Sequence, residues 1–164
     1  MREKTIPPFK KFMTAELVVT TIINFAFGAG FGWLAGKSLH AVPMHGVGGI
    51  VMDVIITCFA IGLLLTLIST AIVRKRIAKG EVDNIPESSL FFPMKSLPKK
   101  TLPRAMLLAV LGVVVLAPII IGGFLALGIS EISSPNFIWV KGAYGALIAI
   151  LCTPYALMPM MAER

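Results

Sequence analysis

Charged and reactive groups are what this sequence has least of. Only 14% of its 164 residues are Asp, Glu, Lys or Arg, and the eight acidic residues are outnumbered by fifteen Lys and Arg. A soluble globular domain carries about a quarter of its residues as charged side chains, so that class is excluded. Cysteine is limited to Cys58 and Cys152, each inside an apolar run and neither part of a CxxC pair. That removes thiol oxidases and structural disulfides, and both residues read as small buried hydrophobes. The two histidines, His40 and His45, fall in or beside one loop and not within an apolar run, so ligands for haem inside the membrane are missing. No nucleophile stands with a base or a metal-binding cluster. The expectation is therefore a non-enzymatic protein with no metal and no cofactor.

Apolar sequence is what is abundant. Hydrophobic residues make up 57% of the chain, and the mean hydropathy is +0.89. A spanning helix needs about 20 mostly apolar residues, and four segments meet that need: 14–36, 47–73, 105–129 and 137–160. The fold class expected is an all-α membrane protein, one domain over residues 1–164, with four transmembrane helices bundled as two hairpins. The basic residues before the first segment resemble the start of a signal peptide, but the apolar run is too long for one and is expected to be retained.

The distribution of Lys and Arg orients the spans. Arg2, Lys4, Lys10 and Lys11 precede the first segment, and Lys37 alone lies between the first and second. The connector 74–104 carries Arg74, Lys75, Arg76, Lys79, Lys95, Lys99, Lys100 and Arg104, whereas the third junction has Glu131 and no base. Lys and Arg are retained on the cytoplasmic side during insertion, which predicts cytoplasmic termini in a bacterial-type inner membrane. The formal charge of +7 accompanies no nucleic-acid-binding signature. Anionic lipid headgroups are the expected partners, with no nucleic acid.

Within the connector, residues 74–79 read as a helical extension of the second span. The rest reads as an irregular loop lying partly on the membrane, because Pro86, Pro93, Pro98 and Pro103 oppose a long helix. Phe91 and Phe92 are expected to contact lipid or a partner together with Arg74, Lys75, Arg76, Lys99 and Lys100. Phe9 and Phe12, among lysines and after Pro7 and Pro8, suit the headgroup level.

Gly28, Gly32 and Gly36 recur every four residues and fall on nearly one helix face, where another backbone can approach closely. The fourth segment has a similar stripe, Gly142, Ala146, Ala149 and Thr153. These faces are expected to pack against each other or to join subunits in a homo-oligomer or a larger membrane complex. Asp53 and Lys141 are ionisable residues within spans at similar depth from the same side. An ion pair between them lowers the cost of both, with Tyr144 and Thr57 one turn deeper.

The stretch from Ala15 through Glu16, Leu17, Val18, Val19, Thr20, Thr21, Ile22, Ile23 and Asn24 to Phe25 resembles the first helix of small multidrug resistance transporters. The resemblance implies a membrane-embedded carboxylate, here Glu16, that exchanges protons for cationic solutes. Glu16 follows Lys11 by five residues, which sets it near the cytoplasmic interface, where a pair with Arg104 or a lysine is the preferred expectation. Two functions follow: a structural or accessory subunit that assembles through glycine-rich faces, or a small proton- or cation-coupled transporter or channel using Asp53 and Lys141.

Overall fold

The computed structural model describes residues 9–162, so Arg2, Lys4, Pro7 and Pro8 lie outside the described residues. Four helices are long and apolar enough to cross a membrane. They are α1 (Phe9–Gly36), α2 (Ile50–Ala78), the composite third span Thr101–Ala126 and α6 (Ser134–Met161). The composite consists of α4 (Thr101–Leu111), a π turn at Gly112–Leu116 and α5 (Ala117–Ala126). Pro118 has no N–H to offer the carbonyl of Val114, and the chain widens into the π turn just before it.

Helix boundaries shift from the expected ones for local reasons. α1 begins at Phe9 and not near residue 14, and Phe12 and Met13 are buried within the protein. α2 begins at Ile50, after a turn with positive φ at Gly46 and Gly48, and at its other end continues to Ala78 as the expected helical extension. The third span begins at Thr101, ahead of the expected residue 105. Pro103 sits in its first turn, where no N–H donor is needed, so the proline does not block the helix. Arg104 thereby belongs to α4, wholly buried, and not to the connector. α6 runs through Pro154 and Pro159 as one helix.

The order in space departs from two adjoining hairpins. α1 packs along α6, and α2 packs between α6 and α4, so α6 separates the first two helices over most of their length. α6 is accordingly the most buried span, whereas α1 and the third span turn large apolar side chains outward. Such outward faces suit lipid contact, since acyl chains are as apolar as the side chains they meet.

The two short loops join in a feature that the sequence reading lacked. β1 (Ala41–Pro43) and β2 (Glu131–Ser133) pair antiparallel, with Val42 opposite Ile132. The Ser134 N–H donates to the His40 carbonyl at 3.1 Å. Val42, Ile132, Met44 and Phe137 are buried beneath this ribbon and continue the main core, which also holds the free thiols of Cys58 and Cys152.

At the opposite end the connector is docked on the bundle, not looped freely away from it. It contains a 3-10 turn (Glu87–Ser89) and the one-turn helix α3 (Phe92–Lys95). Val82, Ile85, Leu90 and Met94 are buried against Phe12, Val73 and the methionine-rich end of α6. The Ile85 N–H also donates to the Met161 carbonyl at 3.1 Å.

Candidate functional site

The glycine stripe is where α1 and α6 touch. A Cβ on Gly28 would lie 2.7 Å from the Lys141 carbonyl oxygen and 3.0 Å from the Gly142 Cα. One on Gly32 would lie 3.0 Å from the Ile138 Cα, and one on Gly36 would lie 3.1 Å from the Ser134 Cβ. Gly142 reciprocates: its added Cβ would meet the Phe25 carbonyl oxygen at 3.1 Å. The face formed by Gly28, Gly32 and Gly36 is thus filled from within the chain and is not an open surface. Ala146, further along α6, is buried as well.

A second close crossing was missed by sequence reasoning. Gly62 of α2 faces the third span, where its added Cβ would stand 2.7 Å from the Ala109 Cα, and a Cβ added to Gly112 would stand 3.1 Å from the Cys58 carbonyl oxygen. The signal available was the run Ala105, Ala109 and Gly112, small residues on one helical face.

These close approaches bring the polar groups of the spans together. Asp53 lies in the first turn of α2, shallower than expected because that helix starts at Ile50. Lys141 lies about two turns into α6. The Lys141 ammonium donates to one Asp53 carboxylate oxygen, and the Tyr144 hydroxyl donates to the other. Thr57, one turn further along α2, lies beside the same hydroxyl. The ammonium is also 5.8 Å from the centre of the Phe137 ring, a cation–π contact that uses the ring face. The side chain of Lys141 is 9% exposed and that of Asp53 19% exposed, so little water reaches either partner. An isolated charge at such a position is costly; a charge paired and hydrogen-bonded on both oxygens is tolerated. Asp53 also stands at the N-terminus of α2, where unpaired N–H groups favour a negative charge.

Glu16 pairs with Arg76, a partner that the charge pattern did not single out. Because α2 continues straight to Ala78, it carries Arg76 past the end of its apolar stretch to the level of Glu16 on α1. The Glu16 side chain is 14% exposed and that of Arg76 43% exposed, so this pair sits at the rim. Asn24 and Thr21 donate to carbonyls one turn back within α1.

The remaining connector residues stay at the surface. Arg74, Lys75, Lys99 and Lys100 are exposed, and Phe91 and Phe92 are 68% and 83% exposed although Leu90 and Met94 beside them are buried. Between the connector and the end of α6 lies a cleft of about 540 Å³. It is at the far end of the bundle from Asp53 and Lys141.

No family model, no curated protein and no solved structure matches the chain. Its function is therefore argued from these two ends of the bundle.

Proposed function

We propose that this chain is a non-enzymatic integral membrane protein, a structural or accessory subunit of a bacterial-type cytoplasmic membrane. Both termini and the connector face the cytoplasm, an orientation supported by the bases at Lys10, Lys11, Lys75, Lys99 and Lys100 against the single Lys37 at the ribbon end. The observation that carries the reading is the pairing of ionisable side chains between helices. Asp53 is engaged by Lys141 and Tyr144, and Glu16 by Arg76, so these charges join helices within the chain.

Because the Gly28, Gly32 and Gly36 face is occupied by α6, assembly with itself or with a larger complex uses other surfaces. Those available are the outward apolar sides of α1 and the third span, and the connector with Phe91 and Phe92. Cross-linking in native membranes, followed by purification in mild detergent, tests this reading. A defined oligomer or a stoichiometric complex is expected, and a lone monomer that moves protons or cations across liposomes contradicts it.

The second reading, a small proton- or cation-coupled transporter, draws on the 19% exposure that the Asp53 side chain retains. It requires the Asp53 and Lys141 pair to open during turnover, and a flux assay on reconstituted protein separates the two.

A further inference from the structure

The cleft beneath the connector combines three features that general membrane chemistry assigns to one kind of ligand. Its apolar wall is formed by Leu90, Met94 and Leu97, and two exposed lysines, Lys95 and Lys99, line it with a single acidic residue, Glu87. Cations exceed anions there. The cleft closes against Pro159 and Ala162 at the end of α6, and Lys99 lies two residues before α4. It therefore lies where two apolar spans end, which on the membrane-protein reading proposed above is the height of lipid headgroups. Its volume of about 540 Å³ falls within the range of small-ligand sites, about 300–1,000 Å³.

The third feature is the pair of outward rings. Phe91 and Phe92 keep 68% and 83% of their surface exposed, while Leu90 and Met94 on either side are turned inward. Phe91 and Phe92, where α3 starts, therefore present aromatic rings away from the bundle. Rings at the acyl boundary with ammonium groups at the phosphate level is how amphipathic segments sit on a bilayer. Lysines near an anionic surface add to that binding.

We propose that the cleft is a binding site for the phosphate of an anionic phospholipid. Lys95 and Lys99 hold the phosphate, the Leu90, Met94 and Leu97 wall covers the glycerol and first methylenes, and Phe91 and Phe92 enter the neighbouring acyl chains. Charge complementarity selects this occupant, and the seat at the span ends supplies its acyl chains with somewhere to lie. The inference rests on the membrane-protein reading above and deepens it by naming the lipid class and the residues that choose it.

The test uses the full chain in an uncharged detergent, with dioleoyl phosphatidylglycerol and dioleoyl phosphatidylcholine offered together and bound lipid counted by native mass spectrometry. Phosphatidylglycerol is expected to be retained at least about tenfold over phosphatidylcholine, with about fivefold of preference lost for each lysine removed. Lys95→Gln with Lys99→Gln should abolish the preference. The arginine pair at the same positions should keep it, and Lys37→Gln, at the ribbon end of the bundle, should leave it unchanged. Phe91→Ser with Phe92→Ser should weaken retention of both lipids equally.

A preference that survives the double glutamine variant overturns the site. So does displacement of phosphatidylglycerol by inorganic phosphate at millimolar concentration, which would make the ligand a soluble phosphate. All five substituted side chains are exposed, so folding is retained, and an unchanged unfolding midpoint verifies it. The readout needs no partner protein. Loss of the accessory reading through measured transport would leave lipid preference intact, and loss of lipid preference would leave the oligomer result untouched.

Discussion

Lys141 leaves α6 directly opposite Gly32 of α1, where a Cβ on the glycine would come within 3.3 Å of the lysine Cβ. The lysine's backbone carbonyl stands against Gly28, and its ammonium reaches across to Asp53 on α2. One residue thereby joins three helices, and the glycine stripe and the ion pair are parts of one junction.

Removing one partner of the pair leaves the other charge nearly dry. Asp53→Ala or Lys141→Ala should lower stability by about 2–3 kcal/mol, somewhat below a fully buried pair because the aspartate is 19% exposed. Asp53→Leu combined with Lys141→Met should return to within about 1 kcal/mol of the wild type, since two apolar groups need no partner. Unfolding by SDS in mixed micelles measures all three. Single losses that simply add in the double variant would show that the two residues are not coupled.

Tyr144→Phe deletes the second hydrogen bond to Asp53 and nothing else of the ring's packing. A loss of about 1–3 kcal/mol is expected in the same assay, the range for a hydrogen bond to a charged group. The loss should vanish in a background already carrying Asp53→Leu.

Glycine position decides the cost of added methyl groups. Gly28→Ala places a Cβ 2.7 Å from a backbone oxygen and Gly62→Ala places one 2.7 Å from the Ala109 Cα, so each forces two helices apart and should be strongly destabilising. Gly30, two residues from Gly28, has nothing within 4 Å of its added Cβ. Gly30→Ala should therefore be neutral or stabilising by up to about 1 kcal/mol through helix propensity. Equal losses at Gly28 and Gly30 would contradict the α1–α6 contact.

The four spans were legible because an apolar run of membrane length has few alternative folds. The Asp53 and Lys141 junction and the facing glycine stripes could be read for a related reason: charges and glycines within a span each need a specific neighbour. Helix order could not be read, because lipid and protein are equally apolar and hydropathy does not distinguish a face turned to acyl chains from one turned to α6. The β1–β2 ribbon was hidden because three-residue strands have no periodicity to detect. The partner of Glu16 was not legible although the helical extension of α2 over 74–79 was, because the sequence does not fix the rotation of α2 that turns Arg76 toward α1; Pro103 in the first turn of α4 lets that helix begin early enough to bury Arg104.

The rim pair gives a contrasting prediction. Glu16→Gln breaks a contact whose cation is 43% exposed, so the loss should be at most about 1 kcal/mol. Proton flux through reconstituted protein, followed with an internal pH dye, should be the same for wild type and variant. A flux present in the wild type and lost in Glu16→Gln would support the exchange role that the resemblance of α1 implies.

Water access to the junction separates a clasp from a conduit most directly. With Cys58 and Cys152 replaced by alanine, a cysteine at Thr57, one turn below Asp53, is challenged in intact membranes with a membrane-impermeant maleimide. A cysteine at Val47, fully exposed in the loop before α2, serves as the reactive control. A clasp predicts that Val47→Cys is labelled and that Thr57→Cys reacts only after denaturation. Labelling of Thr57→Cys at a rate near that of Val47→Cys would place water at the pair and contradict the structural role.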